Sequence, residues 1–103
     1  MSYEIAFAES VKQQLKDLSA RERAIVIDAI AQQLVYEPLV ETRNRKKLRP
    51  NRIAPWELRI GYLRVFYEVV EDEPNIVHIL AVGYKEGNTF IIGGREVDLN
   101  EKN

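Results

Sequence analysis

The sequence predicts an α+β domain with the element order β-α-α-β-β-β, in which two N-terminal helices pack on one face of a small, mostly antiparallel, twisted sheet. Three observations predict it. The first 37 residues pass from a strand-like alternation of apolar residues to two helical patterns. Gly61 and Tyr62 separate two runs rich in β-branched and aromatic residues, which is typical of a tight hairpin. A third apolar run, from Ile76 to Tyr84, follows a turn-like Asp-Glu-Pro-Asn stretch.

The first strand and helix follow from a change of period. Tyr3, Ile5 and Phe7 alternate with other residues, as expected of a strand. Val11 and Leu15 then mark one face of a helix that starts near residue 9 and presents polar residues on its other face.

The second helix has a clear start and end in the sequence. Ser19 and Glu22 form a capping-box pattern, which predicts that a helix begins there. Pro38 predicts that it ends near residue 36 or 37. Its predicted apolar face comprises Ile27, Ile30, Ala31 and Leu34.

After a predicted loop from residue 38 to 55, a two-residue turn at Gly61-Tyr62 determines the strand pairs by counting. The expected pairs are Ile60 with Leu63, Arg59 with Arg64, Leu58 with Val65, Glu57 with Phe66, and Trp56 with Tyr67.

Pairing Glu71 with Ile76 around the second turn places Arg64 opposite Gly83 and brings Lys85 to the face that carries Arg59. The same register puts His78 on the helix-covered face. It leaves an apolar strip on the other face, which consists of Phe66, Val70, Val77 and Ile79 and needs a cover.

The chain is expected to form a single domain over residues 1–103. Residues 89–92 could add a short strand, and the glycine-rich, polar segment from about residue 93 is expected to be a mobile tail. No cysteine is present, and no segment approaches the roughly 20 apolar residues that span a membrane. We therefore expect a soluble cytoplasmic protein without a membrane partner, metal or cofactor.

The net charge of −1 hides a strong partition of charge along the chain. Residues 43–67 contain eight basic residues and a single acidic one, Glu57. The basic residues are Arg43, Arg45, Lys46, Lys47, Arg49, Arg52, Arg59 and Arg64. Such a patch on an otherwise acidic protein fits an anion-binding surface, although a solvated charged loop would have the same composition.

Arg59 and Arg64 are expected to face each other across the hairpin, which is unfavourable for stability. Together with Lys85 and a nearby glycine they could form a phosphate site. Glu57 lies on the same face and could either pair with the arginines or act as a catalytic base.

Four stretches resemble one known family. They are Lys47-Leu48, Trp56-Glu-Leu-Arg-Ile, Gly61-Tyr-Leu-Arg-Val-Phe-Tyr-Glu-Val and Val82-Gly-Tyr-Lys85. In order and spacing, over residues 3–90, the chain resembles the RelE/ParE superfamily of type II toxin–antitoxin toxins. The resemblance implies two N-terminal helices on a small twisted sheet. It also implies either metal-independent cleavage of mRNA on the ribosome, as in the RelE branch, or poisoning of DNA gyrase, as in the ParE branch.

The resemblance also implies roles for individual residues. Arg64 matches an arginine that stabilises charge on the scissile phosphate, and Lys85 and Arg59 match basic residues with related roles. Glu57 stands where RelE-like members have a second lysine, and Phe90 is the nearest aromatic residue to that branch's C-terminal tyrosine.

The sequence thus gives catalytic candidates and RNA-binding candidates. The catalytic candidates are Arg64, Lys85, Arg59 and Glu57, and the RNA-binding candidates are Arg43, Arg45, Lys46, Lys47, Arg49 and Phe90. Expected partners are a cognate antitoxin with the ribosome and mRNA, or DNA gyrase in place of the last two. A non-toxic binding module that retains the fold is a third possibility.

Overall fold

The computed structural model describes residues 2–99, and its N-terminal half confirms the predicted order of elements. Strand β1 (Glu4–Phe7) is followed by helices α1 (Glu9–Lys16) and α2 (Ala20–Gln33). The predicted capping box is present, because the backbone N–H of Glu22 donates to Ser19 Oγ at 3.1 Å and the N–H of Ser19 donates to Glu22 Oε1 at 2.9 Å.

Helix α2 ends three residues earlier than the lower predicted limit, at Gln33, and it is rotated relative to the predicted apolar face. Val26, Ile30 and Leu34 form the buried stripe, whereas Ile27 is 42% exposed. The predicted and observed stripes share Ile30 and Leu34, so the periodicity alone left the rotation ambiguous by about one residue. Ala31 is also exposed, and this part of the prediction was wrong.

Six further strands complete one sheet. They are β2 (Arg45–Lys47), β3 (Trp56–Ile60), β4 (Leu63–Glu71), β5 (Asn75–Glu86), β6 (Thr89–Ile92) and β7 (Arg95–Val97). Strands β2 to β7 lie side by side in chain order and antiparallel, while β1 pairs with β5 in parallel. Strand β2 lies inside the segment that was predicted to be a loop. The sequence did not indicate this strand, because its three residues are all basic and show no apolar alternation.

The β3–β4 hairpin has the predicted register, with Arg59 opposite Arg64 and Trp56 opposite Tyr67. Gly61 has φ of 60°, and Tyr62 has no positive φ. This combination fits the II′ turn and excludes type I′, which needs a positive φ at both central residues.

The β4–β5 register is as predicted only near the first hairpin. Arg64 pairs with Gly83 and Val65 with Val82, but a β-bulge follows Phe66, and Glu71 pairs with Asn75 instead of Ile76. The extra residue on β5 shifts the remaining pairs by one position, which reverses the faces of the side chains there.

The bulge corrects two predictions. Val77 and Ile79 are fully buried on the face covered by the helices, so they do not belong to an uncovered strip. His78 lies on the other face, where its Nδ1 is 3.2 Å from Glu68 Oε2. Of the predicted strip, Phe66 is fully buried and only Val70 is exposed.

A gap in the edge pairing of β5 is filled from a helix. Strand β1 pairs with the first part of β5 and β6 with the last part. Between them the backbone N–H of Val82 donates to the side chain of Gln14 at 2.9 Å. Gln14 is one of the polar residues of α1, and its amide oxygen satisfies a sheet donor that would otherwise lack a partner.

Each face of the sheet has its own apolar cluster. On the helix face, the buried stripes of α1 and α2 pack on residues such as Leu58, Val65 and Val82. On the opposite face, which we call the outer face, Phe66, Ala81 and Ile92 form a smaller cluster with Ala54 of the β2–β3 loop. No helix within residues 2–99 is long and apolar enough to cross a membrane.

The C-terminal segment contributes to the cover of the outer face. Strand β7 pairs with β6, and Val97 and Leu99 pack against the outer-face cluster. The structure therefore places a strand in the segment for which composition favoured a mobile tail, while residues 100–103 lie outside the described part.

Candidate functional site

The β3–β4 hairpin brings two arginines together on the outer face. Arg59 and Arg64 are cross-strand partners, and Glu57 precedes Arg59 by two residues, so all three side chains share this face. The sheet register also brings Lys85 to it, because Arg64 pairs with Gly83, two residues before Lys85.

Glu57 is the counter-ion of this pair. Its side chain is 1% exposed, and its Oε1 accepts a hydrogen bond from Arg59 Nε at 2.6 Å. Its Oε2 lies 3.8 Å from Arg64 Nε, and both of these atoms are buried without a hydrogen-bond partner among the described residues. The carboxylate therefore offsets the repulsion between the two arginines while one of its oxygens stays unbonded.

Arg64 is folded against its own turn. Its guanidinium donates to the carbonyl oxygen of Gly61 at 2.6 Å and to that of Leu63 at 2.9 Å, and its side chain is only 11% exposed. Burial lowers the pKa of Arg64 below its ordinary value; Glu57 opposes this effect and Arg59 adds to it. The group nevertheless stays charged at physiological pH.

Close packing of β5 against β6 requires a glycine at position 83. A Cβ atom built on it would lie 2.0 Å from the carbonyl oxygen of Ile91 in β6. The missing side chain therefore lets β6 approach beside Arg64.

Lys85 and Phe90 form a cross-strand pair on β5 and β6. The ammonium nitrogen of Lys85 lies 5.7 Å from the centroid of the Phe90 ring, within range of a cation–π interaction. The ring meets Phe66 edge-on, with centroids 5.7 Å apart. Packing thus holds one aromatic residue, with a cation beside it, at the border of the outer-face cluster.

The basic run on and around β2 divides into different roles. Arg45 is 8% exposed, and its guanidinium donates to the carbonyl oxygens of Val40 at 2.9 Å and Gln33 at 2.8 Å. Since Gln33 is the last residue of α2, Arg45 caps the negative end of that helix. By contrast Arg43, Lys47 and Arg49 are exposed.

A cleft of about 290 Å³ on the outer face gathers five of the ten candidate residues. Its lining consists of Lys47, Leu48, Arg49, Pro50, Asn51, Glu57, Arg59, Phe90 and Leu99. A second cleft of about 430 Å³ lies on the other side of the same loop and includes Arg52, Glu68 and Leu80 in its lining.

Comparison with protein families decides what kind of protein carries this site. Residues 5–88 match the model of the ParE toxin of the type II toxin–antitoxin system parDE. The chain belongs to this toxin family. A search of curated proteins found no match.

The fold agrees with that assignment. The toxin is similar to a chain in the crystal structure of the toxin–antitoxin complex RelBE2 from Mycobacterium tuberculosis, with a TM-score of 0.69 and 29% sequence identity. The match covers 82% of the toxin and 100% of that chain. The predicted membership of the RelE/ParE superfamily and the predicted α+β fold are thereby confirmed.

The toxin brings together only some of the residues selected from sequence. Lys47, Arg49, Glu57, Arg59 and Phe90 line the smaller cleft. Arg64 and Lys85 share the face without lining that cleft. Lys46 pairs with Glu57 across the β2–β3 ladder, and Arg43 precedes β2.

Two contributors to the site were missed. Asn51 lines the cleft and binds four backbone groups of the loop around it. Tyr62 donates a hydrogen bond to Glu22 Oε2 at 2.6 Å and thus ties the turn that holds Arg64 to the start of α2. The Pro50-Asn51 dipeptide is a turn signal that could have indicated the first; no local pattern indicates the second.

The arrangement suits the binding of a polyanion. The cleft offers cationic side chains, an amide and one carboxylate beside an aromatic ring, on a surface whose cations exceed its anions. Within residues 2–99 no group of three or more His, Asp or Glu side chains is placed to hold a metal ion.

Proposed function

We propose that the toxin is a metal-independent endoribonuclease that cleaves mRNA on the ribosome in the cytoplasm and so inhibits translation. The observation that carries the proposal is the cleft in which Lys47, Arg49 and Arg59 converge with the carboxylate of Glu57 and the ring of Phe90. Cations for phosphates and an aromatic ring for an unstacked base are what recognition of single-stranded RNA requires.

The reaction would be attack of a ribose 2′-hydroxyl on the adjacent phosphorus. The new P–O bond closes a cyclic phosphate as the bond to the 5′-oxygen breaks, so one proton must leave the hydroxyl and one must reach the leaving oxygen. Glu57 is the carboxylate in the lining and would accept the first proton. The ammonium group of Lys85 would supply the second.

The arginines would stabilise the transition state. A pentacovalent phosphorane carries more negative charge on its oxygens than the substrate does, and fixed cations favour it selectively. Arg59 is half-exposed and already held by Glu57, so it needs little rearrangement to meet a phosphate. Arg64, its more buried cross-strand partner, would contribute by turning one amino group outward from the Gly61 and Leu63 carbonyls.

The exposed residues of the basic run would bind the flanking RNA backbone. Lys47 and Arg49 line the cleft, and Arg43 and Lys46 extend the cationic surface along β2. Phe90 would stack on a base. Arg45 is left out of this interface because its guanidinium is occupied by two backbone carbonyls of the toxin itself.

A cognate antitoxin is the proposed protein partner. The similar M. tuberculosis chain comes from a toxin–antitoxin complex. The helices and the outer face of the sheet are the two surfaces that could receive an antitoxin segment. Of the apolar strip expected on the sheet only Val70 is exposed, so the exposed side of α2 is the better surface. Ile25 and Ile27 are 38% and 42% exposed there, on a shallow groove shared with Ala24 and Ala31.

Inhibition of DNA gyrase is the second candidate. It is favoured by the matched family model, which describes the toxin of parDE. The guanidinium of Arg64 is also already hydrogen-bonded to the carbonyl oxygens of Gly61 and Leu63, which suits a surface that binds a protein without catalysing a reaction. A non-toxic module that retains the fold is the remaining alternative.

Induced expression of the toxin separates these candidates. We expect protein synthesis to stop before any change in plasmid supercoiling, and we expect purified toxin to cut mRNA only when ribosomes are present. If purified toxin instead inhibits supercoiling by purified gyrase and leaves mRNA intact, the second candidate is favoured. Normal growth with neither effect would favour the non-toxic module.

A further inference from the structure

The loop between β2 and β3 is organised by one side chain. The amide nitrogen of Asn51 donates to the carbonyl oxygens of Arg49 and Ala54, both at 2.8 Å. Its amide oxygen accepts from the backbone N–H of Ile53 at 2.7 Å and from that of Ala54 at 3.0 Å. The amide nitrogen thus faces two carbonyl oxygens and the amide oxygen faces two N–H groups. The flipped orientation of the amide is excluded, because it would place donor against donor and acceptor against acceptor.

The ends of this loop are fixed independently. The backbone N–H of Leu48 donates to the carbonyl oxygen of Pro55 at 2.8 Å, which continues the β2–β3 ladder by one step. Ala54 is buried with Phe66, and Leu48 and Ile53 pack against the same outer-face cluster. The loop therefore stands on the outer face as a fixed ridge, with the smaller cleft on one side and the larger cleft on the other.

The middle of the ridge depends on Asn51. Arg49 and Pro50 are exposed. No strand ladder includes residues 49–54, so the carbonyl of Arg49 and the two N–H groups depend on the Asn51 amide. An exposed basic segment without such a tie would sample many conformations, and RNA binding would have to order it.

We propose that Asn51 is a positioning residue that holds Arg49 at the mouth of the smaller cleft, so that its guanidinium faces the RNA backbone beside Arg59. This inference rests on the proposed RNA-binding function. Asn51 acts through the loop backbone and contributes no charge of its own. Its effect should therefore depend on Arg49 and be independent of cations that other strands carry.

A double-mutant cycle tests this dependence. The probe is a short single-stranded 2′-O-methyl RNA, which has no free 2′-hydroxyl for attack, and its affinity is measured by fluorescence anisotropy at several salt concentrations. The variants are Asn51→Ala, Arg49→Ala and the double variant, with Asn88→Ala in the exposed β5–β6 turn as the matched control. A second cycle combines Asn51→Ala with Lys85→Ala on β5.

We expect Asn51→Ala to weaken binding about tenfold, Arg49→Ala to weaken it by a similar factor, and the double variant to be little weaker than either. The cycle with Lys85→Ala should be additive. Amide hydrogen exchange at Ile53 and Ala54 should become faster in Asn51→Ala, while Asn88→Ala changes neither property. Asn51→Asp keeps the two hydrogen bonds that the side-chain oxygen accepts. Asn88→Asp adds the same negative charge elsewhere, and its effect on affinity is subtracted. After this subtraction, Asn51→Asp should bind RNA more tightly than Asn51→Ala.

Two results would overturn the inference in different ways. The first result is that Asn51→Ala leaves the RNA affinity unchanged, or that it weakens binding by the same factor in wild type and in Arg49→Ala. Either outcome would show that Asn51 does not act through Arg49. A wild-type toxin that binds the RNA without salt dependence would instead remove the proposed function, and the positioning role with it.

Discussion

The two faces of the sheet are covered in different ways. On the helix face, two amphipathic helices close a continuous apolar core, and the ring of Tyr67 is buried with its hydroxyl donating to the Pro38 carbonyl at 2.7 Å. On the outer face, a loop and two short strands cover a smaller cluster and leave a charged cleft at its border. The first face is built for stability, and the second combines a small core with a site.

This difference shows where charge can be tolerated in a small domain. A buried carboxylate between two arginines would be costly inside the helix-face core, because desolvated ions need complete hydrogen bonding. Beside a cleft, Arg59 stays half in water while Glu57 is enclosed. The incomplete cover of the outer face thus allows a cationic site to coexist with a packed sheet.

The largest expected effect is on stability and tests whether the outer-face cluster is a true core. Phe66→Ala should lower the free energy of unfolding by about 3–5 kcal/mol, since Phe66 is fully buried between the loop and β6. Leu58→Ala on the helix face should cost about 2–5 kcal/mol. Urea denaturation compares them. A loss below about 1 kcal/mol for Phe66→Ala would mean that the outer face is only loosely covered.

The next effect concerns catalysis by the outer face. Arg64→Ala should lower the rate of mRNA cleavage by about 10²–10³ and abolish growth arrest, because it removes a cation that we propose turns from the Gly61 and Leu63 carbonyls toward the transition state. The exposed Arg21 on α2 provides a control, and Arg21→Ala should cleave normally. Full growth arrest by a well-expressed Arg64→Ala toxin would remove Arg64 from the site.

Glu57→Gln separates the two roles of the buried carboxylate. If Glu57 accepts the 2′-hydroxyl proton, single-turnover cleavage should fall about 10²-fold while RNA binding is kept or strengthened, since one anion is lost. If Glu57 serves only as the counter-ion of Arg59, cleavage should be retained. Single-turnover rates and anisotropy on the same preparations distinguish these results.

A smaller effect contrasts two arginines of the basic run. Arg49→Gln should leave stability unchanged and reduce the log–log salt slope of RNA binding by about one unit. Arg45→Gln should instead cost about 1–3 kcal/mol of stability, because the carbonyls of Gln33 and Val40 lose a charged donor. Equal slopes for wild type and Arg49→Gln would identify the exposed run as a solvated loop.

The smallest effect depends on pH. The hydrogen bond that Tyr62 donates, followed by those from Ser19, lowers the pKa of Glu22 below its ordinary value. The same hydrogen bond to Glu22 raises the pKa of Tyr62. Because the pKa of Glu22 is lower in the folded state, its ionised carboxylate stabilises the toxin at pH values above the unfolded-state pKa of about 4.5. This stabilisation is lost as the pH falls through the folded-state pKa. Tyr62→Phe should therefore melt slightly earlier than wild type at pH 7 and equally at low pH. A difference that persists in acid would contradict this linkage.

Local signals predicted much of the fold. The capping box at Ser19 and the Gly61 turn each determine their geometry within a few residues, so the start of α2 and the register of β3 with β4 were predicted correctly. The bulge after Phe66 could not be predicted, because a single extra residue on β5 leaves no mark in a run that is apolar from residue 76 to 82 except at His78. The misplaced faces of Val77, His78 and Ile79 all follow from it.

The candidate site was predicted in part for the same reason. Arg59, Arg64 and Glu57 lie within the well-determined hairpin, and their shared face followed from counting. Arg45 and Arg49 look alike in sequence, yet one caps a helix and the other lines a cleft, because the difference depends on β2 and on the end of α2. Such long-range contacts have no local pattern.

The β-bulge also has a consequence for aligning this toxin with its relatives. Within the stretch of β5 that pairs with β4, from Asn75 to Tyr84, Leu80 is the residue without a partner in β4. A relative whose β4–β5 ladder is regular needs one residue fewer between the second turn and the position of Val82. Sequence alignments should then open a single-residue gap beside Leu80. Residues of β5 on the N-terminal side of that gap should be compared only after this one-residue offset has been applied. Ignoring it would equate core positions of one protein with surface positions of the other.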